Sequence, residues 1–174
     1  MKKFFVLLLT IFVTIFVLWL QVNLFNYYKL FGVIPNIGIV LIVAISMCAG
    51  QNIGGIIGLL YGVLFDSCFN TSFGLYTFMF CVIGYGVGLI KGKLALDNKL
   101  SLFIIVAIST LLLEIINIIF LSIKNISFDI SALYIFKVIV LEIIYNVFLT
   151  FISYKPLMFL GDIINRSRRA YYEL

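Results

Sequence analysis

The sequence contains no histidine and few charged residues, since lysine, arginine, aspartate and glutamate together make up 11% of its 174 positions. Its cysteines are Cys48, Cys68 and Cys81, an odd number with no pair at metal-ligand spacing. We therefore expect neither a disulfide framework nor a zinc site. No nucleophile, metal site or polar substrate cleft is recognisable around which an active site could be built. The sequence predicts a protein that is not an enzyme and has no cofactor.

Apolar residues make up 64% of the chain, and the mean hydropathy is +1.26. A soluble domain averages roughly 45–50% apolar residues, because it needs a wet polar surface. In a bilayer the outward surface should be apolar, and spanning segments are helical because a helix satisfies its own backbone hydrogen bonds. The composition therefore predicts an all-α, polytopic integral membrane protein whose surroundings are membrane lipid.

Six apolar runs approach the roughly 20 residues that a spanning helix needs. The first lacks a signal-peptide cleavage site, so we interpret it as an uncleaved span. The second and third are joined by the uncharged Gly50-Gln51-Asn52 and either cross fully or form a shallow re-entrant hairpin. We predict a single transmembrane domain covering residues 1–174, with spans at about 4–24, 33–49, 51–65, 73–90, 102–123 and 132–154 and a basic tail at 162–174.

Two local signals refine these boundaries. Pro35 is expected in the first turn of the second helix, where its missing N–H costs nothing. Residues 66–72 are expected to form a polar turn after the third span, and the sixth span is expected to end before Pro156.

Basic residues are distributed asymmetrically about these spans, which predicts an orientation with both ends in the cytoplasm. Only Lys29 and Lys124 then lie outside. An odd number of spans would place one basic end outside, so six are favoured over five. The net charge of +5 is accordingly an orientation signal, and we expect no nucleic-acid partner. The predicted cytoplasmic residues are Lys2, Lys3, Lys91, Lys93, Lys99, Lys155, Arg166, Arg168 and Arg169.

Two series of glycines recur at every fourth position, so that each series lies on one helix face. In lipid, small residues at this spacing let helix backbones approach closely. They either pack the third span against the fourth or second, or form a contact surface for another membrane protein or a second copy of the chain. The series are Gly50, Gly54, Gly58 and Gly62, and then Gly84, Gly88 and Gly92.

Polar residues within the fifth and sixth spans form a second pattern. Folding the hairpin about its loop places Glu114 and Glu142 at similar depth, where Lys137 could pair with Glu114 and Asn117 and Asn146 could hydrogen-bond the same cluster. Polar groups at such depth usually face protein or water and often mark function. The cluster is either a neutralised structural contact with one carboxyl protonated, or a proton or ion path, a ligand pocket, or a polar anchor for a partner helix.

The stretch from Pro35 to Gly92 resembles the family of the rod shape-determining protein MreD. The motif residues are Pro35-Asn36, Gly50-x3-Gly54-x3-Gly58-Leu59-Leu60-x-Gly62-x2-Phe65-Asp66, Gly74-Leu75, Phe78 and Gly84-Tyr85-x2-Gly88. The resemblance implies a non-enzymatic adaptor in the bacterial inner membrane, needed for cell shape and organised lateral peptidoglycan synthesis. Its implied partners are an MreC-like protein and, through it, the actin-like MreB, the glycosyltransferase RodA and a class B penicillin-binding transpeptidase. In that setting the glycine faces would lie against partner or self helices, and Asp66 near the outer surface.

Two alternatives come from other functional classes. Six compact spans also resemble the substrate-binding subunits of energy-coupling-factor vitamin transporters, which are thought to share a fold with MreD-like proteins. Such a subunit needs small residues on its first span, and residues 4–20 contain neither alanine nor glycine. The third hypothesis is a small carrier that uses Glu114 and Glu142 for protons.

Overall fold

The computed structural model describes residues 2–25, 32–69, 74–91, 99–123 and 132–172, which form six α-helices. No strand occurs in these ranges, so the all-α prediction is confirmed. The helices are α1 (Lys2–Leu20), which continues into a π-helical turn (Gln21–Phe25), α2 (Ile37–Ala49), α3 (Gln51–Phe69), α4 (Leu75–Ile90), α5 (Lys99–Ile123) and α6 (Ala132–Tyr172).

Helix α2 lies at the centre of the bundle. Every residue from Gly38 to Ala49 is buried, and all five other helices contact it. A helix that is apolar on all sides has no face suited to water, so it is buried by its neighbours. At 1.5 Å per residue α2 is about 20 Å long, shorter than the roughly 30 Å hydrocarbon core of a bilayer. We call the two ends of the bundle the Asn36 end, where α2 begins, and the Gly50 end, where it stops.

The surrounding helices expose apolar side chains. Three helices are long and apolar enough to cross a membrane, namely Gln51–Phe69, Leu100–Ile123 and Ile135–Ile164. Helix α4 is shorter, but its backbone follows α3 from the Gly50 end to the Asn36 end. The surface of the bundle therefore has the character that lipid requires.

Several predicted boundaries differ from the structure. Pro35 precedes α2, whose N-cap is Asn36, so the placement of Pro35 in the first helical turn was wrong. Helix α3 continues to Phe69, so no turn begins at Asp66. The carbonyl of Pro35 is bound by Gln21, and the carboxylate of Asp66 binds the start of α4, and local sequence preference reveals neither contact. Only Gly50 separates α2 from α3, and Gln51 already belongs to α3.

The sixth span was predicted to end before Pro156, but helix α6 continues through Pro156 to Tyr172. A proline removes one helical hydrogen bond and crowds the preceding turn. Beyond it, Leu157, Leu160 and Ile164 are buried in the core, and their packing holds the helix together past the proline.

Candidate functional site

The buried start of α2 is held by side-chain amides. The first N–H groups of a helix have no partner within the helix and need other acceptors when they are buried. Gln21, in the π-helical turn, donates its amide N–H to the carbonyl of Pro35 and accepts from the N–H of Ile37, both at 2.9 Å. The side-chain oxygen of Asn36 accepts from the N–H of Ile39 at 3.3 Å. These bonds attach the end of α1 to the beginning of α2.

Asn146 extends this network to α5 and α6. It is fully buried, and its Oδ1 accepts from the backbone N–H of Asn36 at 2.7 Å. Its Nδ2 donates to the Thr110 hydroxyl at 3.0 Å, and its side chain lies near the carboxyl of Glu142. One amide therefore joins α2, α5 and α6 at a single level of the bundle.

The two glutamates of the predicted cluster lie near each other. Glu142 is buried, Glu114 is half-buried, and their carboxyl groups approach each other across the α5–α6 interface. Tyr76 of α4 lies near both carboxyls and near Asp66. We call Gln21, Asn36, Thr110, Asn146, Tyr76 and the two glutamates the polar layer; its members lie at the end of α1, at the start of α2, and on α4, α5 and α6.

Asp66 caps α4 from the neighbouring helix. Its Oδ2 accepts from the N–H of Gly74 at 2.9 Å, the N–H of Thr77 at 3.0 Å and the Thr77 hydroxyl at 2.6 Å. Its Oδ1 accepts from the N–H of Tyr76 at 3.3 Å. The N-cap residue itself, Gly74 with φ +101°, has no side chain to supply these acceptors. Asp66 is only 2% exposed and is part of the α3–α4 contact.

The predicted polar cluster is assembled only in part. The structure brings Glu114, Glu142 and Asn146 together. Lys137 is exposed, and Asn117 is half-buried without a hydrogen bond to any described residue. Five positions along a helix correspond to a rotation of about 140°, which turns Lys137 away from the face that carries Glu142.

Sequence reasoning missed Gln21, Asn36, Thr110 and Tyr76 as members of this layer. A signal existed for Thr110, which lies one turn before Glu114 on the same face of α5. Asn36 also has the residue type favoured at helix N-caps. Nothing local identifies Gln21 or Tyr76, because their contacts depend on how the helices are arranged.

The glycine series lie at helix contacts inside the chain. On α3 and α4 they face each other, and a Cβ at any of the five would overlap backbone atoms of the opposite helix; these are Gly54, Gly58, Gly62, Gly84 and Gly88. Gly50 joins α2 to α3 with φ +90°, a conformation that favours glycine. Gly92 lies outside the described residues. These faces are filled by the chain itself and have no space for another helix.

Other predicted residues lie as follows. Tyr85 is exposed on α4, and Pro35 is buried at the start of α2. At the Gly50 end, the ammonium of Lys91 donates to the carbonyl of Cys48 in the last turn of α2. Among the described residues, no three histidine, cysteine, aspartate or glutamate side chains are grouped so that they could hold a metal ion.

Replacement of Asn146 tests the polar layer. Asn146→Leu keeps the number of side-chain heavy atoms but leaves the N–H of Asn36 without its acceptor and removes the amide that donates to the Thr110 hydroxyl. We expect the free energy of unfolding in detergent to fall by about 2–3 kcal/mol, because buried groups that lose their partners retain their desolvation cost. Asn117→Leu is the matched control and should change it by less than about 0.5 kcal/mol. Equal losses in the two variants would contradict the assigned network.

Comparison with known proteins gives one match. The family model described as rod shape-determining protein MreD matches residues 1–160. Neither a curated protein nor a solved structure matches the chain.

Proposed function

The chain belongs to the MreD family of rod shape-determining proteins, and from this premise we propose that it is a non-enzymatic membrane adaptor of the bacterial cell-elongation complex. In this role it maintains cell shape by supporting organised lateral peptidoglycan synthesis. The observation that carries the proposal is the family match over most of the chain. It is supported by a helix bundle in which the described polar groups are bonded largely to one another.

The interior of the bundle supports a structural role. Asp66, Gln21 and Asn146 use their hydrogen-bonding groups to fix helix ends and helix contacts. The glycine faces are filled by neighbouring helices of the chain. What remains for other molecules is the apolar exterior and the ends of the helices, which suits a protein that organises its neighbours in the membrane.

We propose that all six helices cross the bacterial inner membrane. Because the whole length of α4 lies beside α3, a membrane that α3 crosses is also crossed by α4. Gln21 lies at the Asn36 end, so α1 runs opposite to α2 and begins at the Gly50 end. Helix α1 then begins, and α6 ends, at the Gly50 end, where Lys91 also lies. By the positive-inside rule we assign this end to the cytoplasm.

The proposed partners are an MreC-like protein and, through it, MreB, RodA and a class B penicillin-binding transpeptidase. A second copy of the chain is a further proposed neighbour in the assembly. The proposal assigns no reaction to the chain itself, and its carboxyl pair serves the α5–α6 contact.

Depletion of the protein followed by microscopy tests this function. Rod-shaped cells should become round, and newly inserted lateral wall, marked with a fluorescent D-amino acid, should lose its ordered pattern. Re-expression of the chain should restore both. In mild detergent the tagged chain should also retain an MreC-like protein.

Normal shape and normal wall insertion after depletion would refute the adaptor role. If depletion instead abolished the uptake of one vitamin, the chain would be a substrate-binding subunit of an energy-coupling-factor transporter. The depletion and uptake measurements can be made on the same cells, so the two functions are distinguished directly.

A further inference from the structure

The exposed apolar residues of α3 form a short stripe along the helix, which we call its apolar stripe. The first exposed polar residue at the Gly50 end of α3 is Asn52, and the first at the Asn36 end is Ser67. Between them the exposed side chains are apolar, from Ile56 to Leu64. At 1.5 Å per residue, Asn52 and Ser67 are separated by about 22 Å along the helix axis.

Helix α4 has the same short extent. A Cβ on Gly88 would meet the backbone of Gln51, and one on Gly62 would meet the backbone of Thr77, so each of these pairs lies at one level of the bundle. The exposed apolar residues of α4 run from Phe78 to Ile90, about 18 Å along the axis. The two helices together form one short apolar face, which we call the α3–α4 face.

The apolar stripe of α5 is longer than those of α3 and α4. On α5 the exposed residues are apolar from Leu100 to Ile119, and Ser122 is the first exposed polar residue. Leu100 and Ser122 are about 33 Å apart along the axis. This length matches a hydrocarbon core of roughly 30 Å when the helix is slightly tilted.

Tilting the helices does not remove the difference in length between the apolar stripes of α3 and α5. Tilting a helix shortens the height of its apolar stripe, so α3 at any angle offers at most its axial length. In a bilayer of ordinary thickness, acyl chains beside α3 would cover Asn52 and Ser67. A stripe that is too short is accommodated by local thinning of the bilayer.

We propose that the α3–α4 face binds a locally thinned bilayer and prefers phospholipids with shorter acyl chains than the α5 side does. The occupant of this face is lipid, because the apolar stripe of α3 is closed at both levels by the exposed polar residues Asn52 and Ser67, as a headgroup boundary requires. The bilayer is therefore thinner beside α3 and α4 than beside α5. This property does not depend on the adaptor function and goes beyond it.

Reconstitution of the full-length chain into phosphatidylcholine vesicles tests the proposal. The acyl chains are varied from dimyristoleoyl to dierucoyl, and the midpoint of thermal unfolding is followed by the loss of helical circular dichroism. We expect the wild type to have its highest midpoint in the short-chain lipids and to lose several degrees in the longest. The variant Asn52→Leu with Ser67→Leu extends the α3 stripe and should move the maximum to longer chains.

Ser122→Leu is the matched control. Ser67 and Ser122 are both exposed, and each hydroxyl donates to the carbonyl four residues earlier, at 2.7 and 2.8 Å. The change on α5 should leave the preferred chain length where it is, because that stripe is already tall enough. A flat wild-type profile, a maximum in the longest chains, or an equal shift from Ser122→Leu would overturn the proposal. The vesicles contain no partner protein, so each result is independent of the adaptor role.

Discussion

Gly58→Ala is expected to lower the free energy of unfolding by about 3 kcal/mol, even though it adds a single methyl group. A Cβ at Gly58 would overlap the backbone carbonyl of Phe80 and the backbone of Cys81. Backbone atoms cannot move aside by changing rotamer, so α3 and α4 would have to separate along their contact. The loss should exceed the gain of about 1 kcal/mol that alanine normally brings to a helix in place of glycine.

Two glycines of the same helices are controls for this effect. At Gly55 a Cβ would lie 3.5 Å from the Cβ of Tyr85, an ordinary contact, and at Gly86 it would meet nothing within 4 Å. Gly55→Ala and Gly86→Ala should therefore be neutral or stabilise the protein by up to about 1 kcal/mol. Chemical denaturation in one detergent, followed by helical circular dichroism, compares the three variants. If all three behaved alike, close packing of α3 on α4 would not be the reason for the glycine spacing.

The glycine spacing and the paired glutamates illustrate what a sequence can predict here. A period of four residues places side chains on one helix face, and a hairpin places residues at matching depths, whatever surrounds them. The all-α membrane architecture follows from composition for the same reason. None of these inferences depends on which helices become neighbours.

The remaining features depend on the arrangement of helices. Asn146 bonds to the backbone of Asn36, which lies 110 positions away, and no local pattern connects the two. Spacing alone also could not decide whether the glycines face another protein or the next helix of the chain. Lys137 was assigned to the glutamate cluster from its depth, but its position around the helix axis turns it outward.

Asp66 shows how such a contact can also hide a helix boundary. In sequence, an aspartate followed by polar residues indicates a turn. In the structure its carboxylate serves the start of the next helix instead, so α3 continues past it. The resemblance to the family motif includes Asp66, and the structure shows its side chain buried at the α3–α4 contact.

Removal of that carboxylate should be among the most damaging single changes. Asp66→Ala leaves the N–H groups of Gly74, Tyr76 and Thr77 and the Thr77 hydroxyl without their acceptor. Loss of a helix cap costs about 1 kcal/mol, and each buried donor that loses its partner adds about 1–3 kcal/mol when water cannot replace it. Allowing for partial relaxation, we expect the free energy of unfolding to fall by about 4 kcal/mol.

Two further variants separate the capping role of Asp66 from its charge. Asp162 is exposed, so Asp162→Ala removes the same charge and should change stability by less than about 0.5 kcal/mol. Asp66→Asn keeps one acceptor but turns an amide donor toward other donors, and should lose about half as much as alanine. Hydrogen exchange supplies the local readout, because the amides of Tyr76 and Thr77 should exchange faster in Asp66→Ala while those at the Gly50 end of α4 keep their protection. Uniform acceleration along α4, or no difference from Asp162→Ala, would mean that the helix start is held by packing and not by this carboxylate.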